Sequence, residues 1–426
     1  MASDSQVSTE FMHRVRSRLA SWLAVCKQAG SVFANHNYRI FFGAECFALM
    51  GNWMQGTVQG WLVLQLVPSP LQLGWVATLQ SLPLLFFVLL GGTLADRVPK
   101  RSVLLVTQTL SLLQTIIFGI LVASGTIQIW HVYILALVQG CLNAFANPAR
   151  EAFAIELVGK DAVTNAIGLY SIVYNGSLVI GPGAAGLLIA TLGFAPTIFI
   201  SAAGSLLLCI GLLALDTSAI PERQAQKASV RGTRHTGLAY IWHTPQILWI
   251  IIGIAGIGVF GYKFGVTLPL LAQFVFHTDS VGFGALGAYL GIGSLIAAVV
   301  TALSQGASEQ RLTYAAFAFS ILLLAVALSS YFWVTAILLI GLGFTGMLVA
   351  TTANVRLQQL APEHLRGRMM GVYILIFSGS MPVGAMFIGG LANTMGVPLT
   401  ILVCAILSGL GISVALLYRR IAQLHT

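Results

Sequence analysis

Charge is scarce in this chain. Only 8% of its 426 residues are Asp, Glu, Lys or Arg, against roughly 25% in an ordinary soluble domain, so a water-soluble globular protein is excluded. Cysteine is equally thin. Cys26, Cys46, Cys141, Cys209 and Cys404 stand far apart with no disulfide or metal spacing, and they read as reduced packing residues. The eight His are scattered, paired carboxylates are missing, and no glycine-rich stretch runs into the Lys-Ser/Thr pair that cradles a phosphate. Neither a soluble-enzyme site nor a metal or cofactor is expected. Apolar residues fill the space instead: 57% hydrophobic with mean hydropathy +0.90, the content of about twelve membrane-spanning helices of ~20 residues. The runs are long and unbroken rather than alternating, which excludes an outer-membrane barrel. The 45 Gly show no triplet repeat, which excludes a collagen-like chain. An all-α membrane protein is left.

Apolar runs bounded by charge and turn residues predict twelve spans, near 39–67, 71–94, 102–122, 130–150, 164–190, 194–215, 247–276, 281–305, 312–330, 333–355, 366–392 and 396–418. The longest polar interruption, Asp216 to His243, carries Arg223, Lys227, Arg231 and Arg234 and divides the spans into two groups of six. The predicted organisation is a cytoplasmic segment over 1–38, a six-helix lobe over 39–215, a linker over 216–246, a second lobe over 247–418 and a tail over 419–426. Lys and Arg set the orientation. Twenty of the 21 fall in the N-terminal segment, in the connections after even-numbered spans, or in the tail, and the remaining one is Lys263 inside the seventh span. Both termini are therefore expected in the cytoplasm. The net charge of +9 serves topology and headgroup contact and requires no nucleic acid. Before the first span, Phe11, Val15, Leu19, Trp22 and Cys26 recur at helical spacing opposite Arg14, Arg16 and Arg18, the pattern of an interfacial amphipathic helix.

Sliding the chain over itself by 203 residues matches spans five and six to eleven and twelve without a gap. Gly168, Tyr170, Gly176, Ser177, Gly181, Gly186, Thr191, Gly193, Thr197 and Ser205 meet Gly371, Tyr373, Gly379, Ser380, Gly384, Gly389, Thr394, Gly396, Thr400 and Ser408. Both stretches belong to a six-span half starting on the same side, so the halves read as parallel repeats. That architecture places a substrate site between lobes near the midplane. Glycine-rich packing faces also resemble one another by composition, but the ungapped register and the shared Tyr and Thr favour a true repeat.

With these features the chain resembles the major facilitator superfamily of transporters. After the second span it reads Gly-Gly-Thr-Leu-Ala-Asp-Arg-Val-Pro-Lys-Arg over 91–101, close to that superfamily's cytoplasmic signature, with Pro99 where the signature has Gly. More narrowly it resembles the drug-exporter branch that includes the enterobactin exporter and macrolide efflux proteins. Asn-Tyr-Arg at 37–39, Gly-Asn-Trp-Met-Gln at 51–55, Asn-Pro-Ala-Arg at 147–150, Ile-Gly-Pro at 180–182 and Leu-Arg-Gly-Arg at 365–368 carry that likeness. Two positions depart from what the resemblance implies: before Gln139-Gly140, Ala136 stands where drug/proton antiporters often carry Arg, and before Gly181-Pro182, Leu178 stands where the branch tends to carry Arg. The resemblance implies a major facilitator fold in a bacterial inner membrane, a small organic or amphiphilic substrate such as a drug or siderophore, and protons as coupling ion. The protein is expected to act as a monomer.

Transport needs a polar path, a coupling group and a gate. Glu45, Asn52 and Gln59 fall within about 40° on one face of the first span, over roughly 21 Å. Gln139, Asn143, Asn147 and Arg150 repeat this on the fourth, and Thr345, Thr352, Arg356 and Gln359 on the tenth. The seventh offers Lys263 and Thr267. The resemblance implies that these four spans line the central cavity. Polar residues also hold helices together, and Gln108, Ser111 and Thr115 on the third span show that such rows are not special to a cavity. An ionisable group inside a bilayer defaults to function. Glu45 is expected to take up and release a proton, and Lys263 to attract an anionic or polar substrate; their depths differ by ~15 Å, too far for a static pair. Glu45 as a snorkelling residue near the interface is the alternative. For the gate, Gly92, Asp96, Arg97, Lys100 and Arg101 form the cytoplasmic cluster, with Arg150 as the expected partner of Asp96. Gly176, Gly181, Pro182 and Gly186 form a helix-packing motif as in antiporters of the superfamily, and Pro269 and Pro382 are expected kinks. Uptake or uniport, or a membrane-embedded receptor or enzyme without transport, are the competing functions.

Overall fold

A computed structural model describes Phe33 and residues 35–158, 163–216, 240–242, 244–303, 307–362 and 365–424. The expected interfacial helix over 11–26 and most of the expected linker lie outside the described residues. Every described element is helical: α1 His36–Leu66, α2 Pro70–Arg97, α3 Lys100–Ala123, α4 Ile129–Val158, α5 Val163–Leu192 and α6 Phe194–Leu213. Then follow α7 Pro245–Gly256, a π-helical turn Ile257–Gly261, α8 Phe264–Phe274, α9 Ser280–Leu303, α10 Glu309–Leu328, α11 Phe332–Leu360, α12 Arg366–Met395 and α13 Val397–Leu424. Helix α13 continues six residues past the span end expected at 418, so Arg419 and Arg420 are helical. Among the described residues, ten helical stretches, counting Pro245–Phe274 as one, are long and apolar enough to cross a membrane. The 31 residues of α1 interrupt their apolar run with the row Glu45, Asn52, Gln55 and Gln59.

Local chemistry sets the helix ends. The Asn35 side chain accepts from the Tyr38 amide at 3.2 Å, and Ser308 from the Arg311 amide at 3.1 Å; both are N-caps that satisfy a first-turn donor. Asn37 exchanges two bonds with the Asp216 backbone, at 2.8 and 3.0 Å, which ties the start of α1 to the chain leaving α6.

The packing is two-fold repetitive. In the first six helices α1 lies on α6, α2 on α4, and α3 on α4 and α6; in the later ones α7 lies on α13, α9 on α11, and α10 on α11 and α13. The 203-residue repeat has a structural meaning at each of its ends. Gly193 and Gly396 both adopt positive φ, 87° and 82°, a conformation glycine enters without steric cost. Thr197 and Thr400 then donate back to the carbonyls of those glycines at 2.7 and 2.8 Å. The same turn is built twice.

Two seams join early helices to late ones, α5 against α9 and α2 against α12. Each closes on a glycine pair. A Cβ on Gly186 would stand 2.3 Å from the Ser280 carbonyl oxygen and 3.0 Å from Gly284 Cα. One on Gly389 would stand 2.8 Å from the Pro70 oxygen and 2.9 Å from Gly74 Cα. Polar bonds cross at the same end of the bundle: Ser280 Oγ to the Gly186 carbonyl at 3.1 Å, Ser69 Oγ to Asn393 Oδ1 at 3.2 Å and Gln65 Nε2 to Gln273 Oε1 at 3.4 Å. Trp61 stacks on Phe283 there, with ring centroids 5.3 Å apart. At the opposite end the ion pairs run within one set of helices: Lys100 with Glu156, and Glu309 with Arg356 and Arg419.

Candidate functional site

The deepest charge contact joins α1 to α4. Arg150 Nε lies 2.7 Å from Glu45 Oε1, with the two side chains only 6% and 2% exposed. It is a charge pair rather than an aligned hydrogen bond, and the second carboxylate oxygen, Glu45 Oε2, has no hydrogen-bond partner. Glu45 therefore does not snorkel, and Arg150 is its counter-charge, as a carboxylate this buried requires. Gly92, Asp96 and Arg97 lie on α2, and their side chains are outside the described residues. Of the remaining gate residues, Lys100 Nζ meets Glu156 at 2.5 Å. Arg101 donates to the Leu212 and Leu213 carbonyls at 2.7 and 3.2 Å, a cation on the negative end of α6.

The polar rows divide into two kinds. On α4, Gln139 donates to Asn143 at 3.2 Å and Arg150 to Asn147 at 3.4 Å, while Ser111 of α3 donates to Gln139 at 3.1 Å. Gln55, Gln114 and Thr115 close a second buried knot at 3.0 Å contacts. The third span's polar row thus faces inward and holds α1, α3 and α4 together. Between these helices a polar crevice is lined by Asn52, Gln108, Asn143 and Arg150. Asn52 and Asn147 are exposed. Gln59 is buried, and its amide nitrogen has no partner. The row on α11 is different: Arg356 pairs with Glu309 at 2.6 Å, and Arg419 joins that carboxylate while lying 5.2 Å from the Trp249 ring centroid.

Lys263 sits where the seventh stretch breaks. The chain leaves the helix at Tyr262 and Lys263, after the π turn, and resumes as α8. The expected kink residue Pro269 lies inside α8, six residues beyond the actual break. Lys263 Nζ donates to Ser380 Oγ at 3.0 Å and to Met381 Sδ at 3.2 Å. No contact joins it to Glu45, as their depths require. Sequence reasoning missed the break, Ser380 and Met381. A signal was present, because Gly253, Gly256, Gly258, Gly261 and Gly265 crowd this apolar stretch, and glycine-interrupted spans mark binding regions in membrane bundles.

The glycine motif on α5 serves two packing surfaces. Gly176 meets nothing, a Cβ on Gly181 would stand 2.6 Å from Trp53 Cβ on α1, and Pro182 and Gly186 face α9. Pro182 remains inside the continuous helix.

The described residues form an all-helical bundle with two glycine-closed seams and charges buried between its helices, the make-up of a multi-pass membrane protein. The chain belongs to the transmembrane secretion effector family, whose sequence model matches residues 28–424. The multidrug efflux pump Tap of Mycolicibacterium fortuitum is 29% identical over 353 residues, covering 80% of this chain and 86% of that protein. The staphyloferrin A transporter of Staphylococcus aureus is 27% identical over 366 residues, covering 84% and 90%. Among solved structures, the nucleoside transporter NupG superposes with a TM-score of 0.70 at 12% identity, over 90% of this chain and 99% of that one.

Proposed function

We propose that this chain is a proton-coupled exporter of a small organic or amphiphilic compound, working by alternating access in a bacterial inner membrane. The names of the relatives support efflux of drug-like or siderophore-like compounds as the substrate range. In this reading the chain crosses the membrane twelve times with both termini in the cytoplasm. Lobes over 39–215 and 247–418 rock about the α5–α9 and α2–α12 seams. The end bearing Ser69 and Asn393 then faces outward and is sealed, so the described conformation opens to the cytoplasm.

The observation that carries the coupling is the buried Glu45–Arg150 pair beside the polar crevice. Protonating Glu45 cancels its charge and releases Arg150, so the pair links proton occupancy to how α1 sits against α4. Glu45→Gln mimics the protonated state permanently. In inverted vesicles supplied with a fluorescent drug from outside, this variant is expected to lower proton-driven uptake at least about tenfold while substrate binding survives. Undiminished proton-driven transport would remove Glu45 from the mechanism.

The sealed end gives a second expected result. With the native cysteines replaced, Ser69→Cys and Asn393→Cys should be bridged by a short bifunctional thiol reagent, and bridging should stop transport until the link is reduced. Full transport by the bridged protein would show that this seam does not open.

A further inference from the structure

Lys263 is a buried cation without a counter-charge. It is 3% exposed, its ammonium rests on a hydroxyl and a thioether, and the ion pairs among the described residues use other cations. Glu45, the acidic group buried among the described helices, is committed to Arg150. Ser380 and Met381 occupy two of the three ammonium donors but bring no negative charge, and a charge so placed is costly in a bilayer. The backbone adds to the same field. Lys263 is the N-cap of α8, which has no side-chain cap, so the positive end of that helix dipole falls at the same residue.

The surroundings are aromatic and in part movable. Tyr262 lies 5.4 Å from Phe264 and 5.6 Å from Phe377, and Phe377 stacks on Tyr373 at 5.9 Å. Met381, whose sulfur covers the ammonium, is 41% exposed. An unbranched thioether chain changes rotamer readily, so it can turn aside and leave the Ser380 bond in place.

We propose that the break at Tyr262–Lys263 is the head-group subsite for the transported compound, and that it takes an anionic oxygen head, such as a carboxylate, carried on an aromatic body. The head displaces Met381 Sδ and supplies the missing counter-charge to Lys263, while the body lies against Tyr262 and Phe377. This rests on the transporter reading above and narrows its substrate class to anionic amphiphiles. A charge-assisted contact of this kind is worth at least about tenfold in affinity.

The test uses the full chain in lipid nanodiscs with pyrenebutyrate and its neutral analogue pyrenebutanol, read by fluorescence at fixed pH. The wild type is expected to bind the butyrate at least about tenfold more tightly than the alcohol. Lys263→Ala should bring the ratio to about one through loss of butyrate affinity, and Lys263→Arg should keep a preference. If Lys263→Ala loses the alcohol as well, Lys263→Met, which keeps the chain length, decides in its place. A ratio near one in the wild type, no butyrate binding, or an unchanged ratio in the variant lacking the charge overturns the proposal. Proton-driven efflux is measured alongside in proteoliposomes. Efflux without a head-group preference overturns the subsite and leaves the exporter reading standing. A Lys263-dependent preference without proton-driven efflux upholds the subsite and overturns that reading.

Discussion

Arg150→Ala is expected to destabilise the protein by about 3 kcal/mol, read as a lower thermal midpoint in detergent. Removing one member of a buried ion pair strands the other, which typically costs about 3–5 kcal/mol. The lower limit applies because Glu45, with one oxygen already unpartnered, can escape by taking a proton. Glu45→Gln strands a cation instead, but Arg150 keeps its bond to Asn147, so the loss should be smaller. The double variant Glu45→Gln/Arg150→Ala should be more stable than the sum of the two single losses predicts, because neither charge is left alone. Strict additivity would show that the pair is not coupled and would weaken its use as a proton switch. Transport by Arg150→Ala should fall at least as far as in Glu45→Gln, since in the proposed coupling the released partner is what protonation moves.

Gly186→Val should be the most damaging substitution at the seams. The atoms that a Cβ would meet there are the Ser280 carbonyl oxygen and Gly284 Cα, both backbone, so no side chain can turn away. Overpacking of this kind costs about 1–3 kcal/mol, and it also holds α5 away from α9. The sealed end then cannot close, and transport is expected to drop at least about tenfold with protein still present in the membrane. Gly176→Ala supplies the opposite sign on the same helix. It meets nothing within 4 Å, and replacing a helical glycine by alanine gains about 0.5–1 kcal/mol. Equal effects at the two positions would refute the close-approach account of the motif.

Much of the architecture was readable because it is one-dimensional. Apolar runs place α3 and α9 to within two or three residues of their observed ends, since the length of a buried helix is set by where charge begins. The repeat was readable because Gly193 and Gly396 must be glycine for the turn they make. Pairings across helices were not, since they depend on rotation about each axis. The depth of Glu45 could be counted from Arg39, but nothing in the count says that its face turns to α4 rather than to solvent. Arg356 illustrates the same limit, standing in register with Thr345 and Thr352 yet bonded to Glu309 at the start of α10. The break at Tyr262 escaped for another reason. The sequence places a kink at Pro269, whereas the chain leaves the helix at Tyr262 and Lys263, just after glycines at 256, 258 and 261.

Two of the glycines on α12 make that helix a lever. Gly384 is pressed against the Val259 carbonyl and the Lys263 side chain, and Gly389, five residues on, against Gly74 of the other half. Neither contact contains a compressible side chain on the α12 side, so displacement at one is passed to the other with little slack. Helix α5 repeats the device, with Gly181 on Trp53 and Gly186 on Gly284. In the proposed transport cycle, a tilt of the seams moves the broken helix carrying Lys263 and the helix carrying Glu45 through twin rigid arms, with no separate transmission between the glycine-closed end and the buried charges.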